Sequence, residues 1–261
     1  MTIESLRELW RFRELFYFLA WRDIKLRYRQ TLFGGLWALV QPFCTMVVFT
    51  VFFGGVFNVP SDGVPYPIFY FAALLPWLYF SATLTQAGTS LVVNGYLLTK
   101  VYFPRLILPA ATALTTLVDF LIGSVFLVAM MLYYGMWPTW KLLMWPLLML
   151  PLTLLSVGIG IFLSAANVKY RDVKYVATFL LQLLLFATPI IYSASRIPVR
   201  FRPLMALNPL AGIIDAFRAS CIPGQPIDWS SLGVSNALTV AILILSLLYF
   251  RKAEREFSDI I

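Results

Sequence analysis

The chain has 261 residues, of which 61% are hydrophobic and 12% charged, and its mean hydropathy of +0.83 excludes an ordinary soluble domain. Cations that flank membrane spans and face anionic lipid account for the formal net charge of +8, so no nucleic-acid partner is needed. With no His, and with Cys44 and Cys221 as its two Cys, the chain has neither the commonest metal ligand and general base nor a disulfide or zinc spacing, and no metal or catalytic group is expected.

Residues 1–33 read as a cytoplasmic N-terminal segment rich in both acids and bases, without a cleavable signal peptide. From Trp21 onward, Trp21, Ile24, Tyr28 and Leu32 share one helical face, with Arg22, Lys25 and Arg29 beside it. With Asp23 and Arg27 they predict a basic amphipathic helix on the inner membrane surface. The alternative is a simple anchor whose cations only flank the first span.

Six apolar blocks follow, at about 34–57, 67–93, 106–134, 142–165, 173–192 and 232–250, each meeting or nearly meeting the roughly 20 residues that cross a bilayer core. They are apolar all round, which predicts helices and excludes the alternating strands of a barrel. The predicted architecture is an all-α membrane domain over 34–250 with six transmembrane helices and a cytoplasmic tail at 251–261. Pro42, Pro76, Pro109, Pro151 and Pro189 are candidate kinks. An inside N-terminus places fifteen of the 20 basic residues in the cytoplasm, which fixes the orientation.

Within the spans, Gln41 and Thr45 lie four apart on the first, and Thr178 and Gln182 four apart on the fifth, so each pair shares a face. Such groups suit either helix–helix hydrogen bonds or the hydroxyls of a sugar. Phe49, Phe52, Phe53, Phe179 and Phe186 nearby either stack on sugar rings or face lipid. Asp119 is the one acid within a predicted span. It marks a functional site, or it is structural, bonded to Thr115 or Thr116 or facing a subunit interface.

The loops are also informative. Residues 94–105 form a short cytoplasmic loop in which Tyr96, Leu97, Leu98, Val101, Tyr102 and Phe103 are apolar and must pack on something. They predict a short helix presented to a partner, or one tucked into the headgroups. Residues 167–175 make a second compact, charged inner loop. In the outer segment, Asn208 before Pro209 reads as an N-cap followed by Pro at the first helical position, and Pro223 with Gly224 as a stop. The enclosed helix of about thirteen residues has a re-entrant or interfacial length, and Asp215 and Arg218 are spaced to pair on its polar side. It serves as a lid over an exit or as a passive cap. No phosphate-binding loop of the G-x-x-x-x-G-K-[ST] kind occurs, so any ATP must be bound by another subunit.

Four ordered motifs carry a resemblance: Arg22-Asp23-Ile24-Lys25-Leu26-Arg27-Tyr28-Arg29-Gln30-Thr31 with Gly34-Gly35-Leu36-Trp37-Ala38; Lys100-Val101-Tyr102-Phe103-Pro104-Arg105; Tyr170-Arg171-Asp172-Val173-Lys174-Tyr175; and Asn208-Pro209-Leu210-Ala211-Gly212-Ile213-Ile214. Over nearly the whole chain the sequence resembles the membrane subunit of ABC-2 type polysaccharide exporters, which move O-antigen, capsular and teichoic-acid polymers. The resemblance implies a homodimer in the inner membrane with two copies of a cytoplasmic ATPase that binds ATP and Mg, and a lipid-linked glycan as substrate. It makes residues 94–105, with Asn94, Tyr96, Leu97 and Lys100 to Arg105, the helix that couples to the ATPase, and 196–224 a re-entrant segment near the exit. It draws the path along the first and fifth spans at the dimer interface, which supports the faces of Gln41, Thr45, Phe49 and Phe52 and of Thr178, Gln182 and Phe186. A permease for a small drug or lipid shares this plan. An ion-coupled secondary transporter is the more distant alternative, since no basic residue within the spans relays a proton and no repeat of the two halves is evident.

Overall fold

The computed structural model describes residues 11–29 and 34–255; Gln30, Thr31 and Leu32 lie outside them. Helix α1 runs Arg13–Arg29. Helix α2, Trp37–Phe49, continues into wider π-helical turns over Thr50–Val56. After it come α3, Tyr66–Val93, the six-residue α4, Gly95–Lys100, and α5, Ile107–Tyr133. Helices α6, Trp145–Lys169, α7, Val173–Ala187, α8, Arg202–Ala206, α9, Pro209–Cys221, and α10, Trp229–Glu254, complete the order. Among the described residues there is no strand.

Five segments are long and apolar enough to cross a membrane: Trp37–Val56, Tyr66–Val93, Ile107–Tyr133, Trp140–Lys169 and Trp229–Glu254. The expected fifth span at 173–192 is shorter than its apolar block. Its helix stops at Ala187 after 15 residues, about 22 Å at 1.5 Å per residue. The cause is local. A residue before proline is pushed out of the helical region, and Thr188, before Pro189, takes φ −104° and ψ 141°. Pro42, Pro76 and Pro151 do lie inside helices, whereas Pro109 falls in the first turn of α5.

The centre is α3, whose residues Ile68 to Ala73 are fully buried. It packs on α5 and α6, and α6 packs in turn on α10. Apolar side chains gain little by meeting one another inside a bilayer, so close backbone approach and hydroxyl pairs hold such helices together. Both are present. A Cβ on Gly160 of α6 would stand 2.4 Å from that of Ala87 on α3, so only glycine allows that crossing. Thr83 and Thr116 share a hydrogen bond of 2.6 Å between α3 and α5, and Tyr79 and Thr153 one of 2.8 Å between α3 and α6.

A second apolar cluster gathers Leu19, Ala20, Leu91, Phe103, Ile107, Leu108, Ala165 and Phe250. It joins α1, the 94–105 loop and the adjoining ends of α3, α5, α6 and α10. Helices α2 and α7 lie at the margin. Helix α7 buries none of its residues, and Val51, Phe52, Phe179 and Phe186 are exposed.

Candidate functional site

The 94–105 loop folds as the expected short helix and divides its apolar residues between two sides. Leu97 and Leu98 pack against the second cluster and Phe103 is inside it, while Tyr96, Val101 and Tyr102 are exposed. Lys100 stands 4.3 Å over the Tyr96 ring. Pro104 follows Phe103 at the exit, and the Arg105 guanidinium donates to the backbone oxygen of Glu254 at 3.4 Å, tying the loop to the end of α10. The 167–175 loop likewise exposes Tyr170 and Tyr175, each with a lysine over its ring.

The loop is also tied to α1. Arg22 donates to the Asn94 side-chain oxygen at 3.0 Å and pairs with Asp23 at 2.8 Å, and Asn94 donates to the Ser90 carbonyl at 2.9 Å. One turn farther along α1, Arg27 pairs with Asp119 at 2.6 Å, and the Tyr28 hydroxyl donates to the other carboxylate oxygen.

This corrects two expectations. Asp119 has a cation beside it, supplied by α1 and not by any span. Thr116 pairs with Thr83, and the buried Thr115 hydroxyl has no partner among the described residues. The acid is also level with the first turn of α2, because it lines one cavity with Tyr28 and Trp37. Helix α5 therefore extends about 18 Å past that level, twelve residues at 1.5 Å each, and α1 packs along this extension.

The second correction concerns the face of α1. Leu19 and Ala20 are its buried residues, and Arg22, Asp23, Ile24 and Tyr28 are half-buried. Trp21 points outward in a row with Tyr17, stacked on it at 6.4 Å, and Lys25, 5.5 Å from its ring. Lys25, Arg27 and Arg29 are exposed.

In the outer segment, Asn208 caps α9 by accepting from the Leu210 N–H at 3.0 Å, and it donates to the Thr188 hydroxyl at 2.9 Å. Pro209 opens the thirteen-residue helix, and Gly224 takes the positive φ of its stop. The expected pairing of Asp215 with Arg218 is not what Arg218 does. Arg218 is fully buried. It donates to the carbonyl oxygens of Pro189, Ile190 and Tyr192 at 2.6, 2.8 and 3.3 Å, and its guanidinium lies 4.1 Å over the Phe69 ring. Asp215 faces a separate outer cavity of about 520 Å3 with Asp228 and Arg202.

The expected path residues occupy two marginal helices. Gln41 and Phe52 on α2 and Thr178, Gln182 and Phe186 on α7 are exposed. Thr45 donates to the Gln41 carbonyl, and Thr178 to that of Lys174, both at 2.9 Å. Phe49 differs. It stacks on Tyr70 at 4.8 Å and on Phe53 at 5.3 Å, so it belongs to the packing of α2 on α3. Beneath the outer segment an apolar cavity of about 900 Å3 is lined by Phe80, Leu155, Leu184, Leu207 and Ile242, with Arg196 among them.

Sequence comparison agrees with this arrangement. Residues 14–222 match the family model described as ABC-2 type transporter. The chain is 32% identical over 261 residues to the O-antigen export system permease protein RfbA of Myxococcus xanthus, covering 98% of this chain and 99% of the relative. It is 26% identical to the protein of that name from Klebsiella pneumoniae, with 92% of each covered. It is 23% identical to the polysialic acid transport protein KpsM of Escherichia coli, over 89% of this chain and 91% of that one. An all-helical, multi-pass architecture with the thirteen-residue α9 and the anchored 94–105 loop thus accompanies a family match over most of its length, and the chain belongs to the ABC-2 type transporter membrane family.

Proposed function

We propose that this chain is the permease subunit of an ATP-driven exporter that carries a lipid-linked polysaccharide, such as O-antigen, capsule or teichoic acid, across the inner membrane. Both termini lie in the cytoplasm. The observation that carries the coupling step is the divided 94–105 loop: Leu97, Leu98 and Phe103 fasten it to the protein, and Tyr96, Val101 and Tyr102 stay exposed. Exposed apolar and aromatic side chains on an anchored loop mark a partner surface. The chain has no phosphate-binding loop of its own, so the partner is the ATPase that binds ATP and Mg.

Two copies of the chain and two of the ATPase form the working unit. The bare faces of α2 and α7 meet lipid on one side and the second copy on the other, and the glycan passes between the copies. The permease makes and breaks no bond. ATP binding closes the two ATPases, the docked loops move, and α1 and α5, tied to the loop through Arg22 and Asp119, move with them.

The test is depletion of this chain in its host, comparing glycan at the surface with lipid-linked glycan inside. Loss outside with accumulation inside is the expected result, and unchanged export overturns the reading. The apolar 900 Å3 cavity favours one second reading, a small amphiphile as cargo. On that reading depletion sensitises cells to hydrophobic toxins and leaves surface glycan intact.

A further inference from the structure

We infer that the cavity between α1, α2, α3 and α5 is a subsite that grips an uncharged sugar ring of the exported glycan; the inference rests on the export reading and adds a place of recognition apart from the faces of α7. The cavity holds about 400 Å3, within the roughly 300–1,000 Å3 of small-molecule sites. It lies level with the first turn of α2, which on the proposed orientation is the cytoplasmic mouth.

Its lining combines three chemistries. The amides of Gln41 and Gln86 line it, and among the described residues neither side chain has a hydrogen-bond partner. Gln41 is exposed and Gln86 half-buried, so both amides are open to an occupant that both donates and accepts. Ser81 and Thr85 add hydroxyls whose protons go to the Leu78 and Ser81 carbonyls, which leaves their oxygens as acceptors. Gln86, Ser90 and Asn94 continue this polar stripe of α3 toward the coupling loop, with four-residue spacing that keeps them on one side.

The charges choose among polar ligands. Arg27 is the cation of the cavity and Asp119 the anion, and they already neutralise each other at 2.6 Å. A phosphate placed there would meet the carboxylate as well as the guanidinium, whereas sugar hydroxyls accept from the one and donate to the other. Trp37, half exposed at the rim, offers the flat apolar surface on which the C–H face of a sugar ring packs. A purely structural polar seam would pair its amides across the helices, as Thr83 and Thr116 are paired.

The test uses the full chain with its ATPase in the host, and the host's own glycan is the probe. A photoreactive amino acid replaces Leu78 in one strain, Ala82 in a second, both lining the cavity, and the outward Leu183 of α7 in a third, each strain first shown to keep its surface glycan. Periodate-sensitive glycan attached to the protein at 78 or 82 after illumination is the expected result. Attachment at 183 alone, or at none of the three positions in cells whose depletion confirms export, overturns the subsite and leaves the export reading standing. Attachment nowhere, with surface glycan unaffected by depletion, ends both. Gln86→Leu is expected to slow export about tenfold, the effect of one lost hydrogen bond to an otherwise unpaired group, with the amount of protein in the membrane unchanged. Export at the normal rate in Gln86→Leu would count against the subsite.

Discussion

Arg218 donates to the carbonyl oxygen of Pro189 at 2.6 Å, from the middle of α9 to the point where α7 has just ended. The same guanidinium reaches the Ile190 and Tyr192 carbonyls, and the Tyr66 hydroxyl takes that of Ile191 at 3.0 Å. A helix broken inside a membrane protein frees backbone oxygens that must find partners. One arginine, planar and with five donors, supplies most of them here and fastens the outer segment to the fifth apolar helix.

Arg218→Ala is therefore expected to leave two or three buried carbonyls unpaired, at about 1–3 kcal/mol each, and to lower the melting temperature and membrane yield of the purified protein. Arg218→Lys restores the charge with the wrong geometry and should fall between. A thermal-unfolding series in detergent decides it. Full stability of the alanine variant would mean that the break at Thr188 is held by other contacts.

The ion pair between Arg27 and Asp119 makes a separate expectation. Both side chains keep some access to solvent, which limits the coupling to about 1 kcal/mol. Asp119→Arg should loosen α1 from α5 and expose its basic residues to trypsin in membrane vesicles. The exchanged pair, Arg27→Asp with Asp119→Arg, should recover protection. Equal cleavage of the single and exchanged variants would show that the charge pair is not what holds α1 against α5.

Much of the architecture could be read from residue patterns, because block length and polarity are local properties. The thirteen-residue α9, its Asn208 cap and the short helix α4 follow from such signals. The end of α7 does not follow from block length, since Ile190 and Ile191 carry the apolar run on past it; Pro189 is the signal, acting on Thr188. The spacing of Asp215 and Arg218 points to a pair on the polar side of α9, whereas Arg218 is fully buried. Its neighbours Phe217 and Ala219 are apolar and the carbonyls that hold it lie 26 to 29 residues away, a distance no local pattern spans. Asp119 likewise found its partner 92 residues earlier, on a helix outside the spans. Gln41 and Gln182, expected to bond between helices or to a sugar, are exposed on α2 and α7, and the stacking of Phe49 on Tyr70 needed the packing of two helices to appear.

Two adjacent aromatics in the 94–105 loop separate docking from folding. Tyr102 is 89% exposed and Phe103 4%. Phe103→Ala should destabilise the protein by about 3–5 kcal/mol, the usual loss for a buried phenylalanine. Tyr102→Ala should leave stability within about 0.5 kcal/mol and weaken capture of the ATPase, and Lys100→Glu should uncouple ATP hydrolysis from export with insertion intact. Pull-down of the ATPase and ATP turnover in reconstituted vesicles measure both. Normal export by a well-expressed variant carrying both Tyr102→Ala and Lys100→Glu would remove this loop from the interface.

At the start of α10, Asp228 accepts from the Ser230 and Ser231 N–H groups at 3.0 and 3.2 Å and from both serine hydroxyls at 2.5 and 2.6 Å. Those bonds favour the charged form and hold its carboxyl down at about 2. The folded value is below the ordinary one of about 3.9, so the contribution is complete above pH 4 and disappears as the pH falls from about 4 to 2. Helix caps of this kind are worth roughly 1 kcal/mol, and the exposure of Asp228 keeps it toward the lower end. Asp228→Ala should accordingly be less stable than the parent protein at neutral pH, and the two unfolding curves should converge as the pH approaches 2. A stability difference that stays constant down to that pH would assign the loss to packing at the helix start, with the carboxylate playing no part.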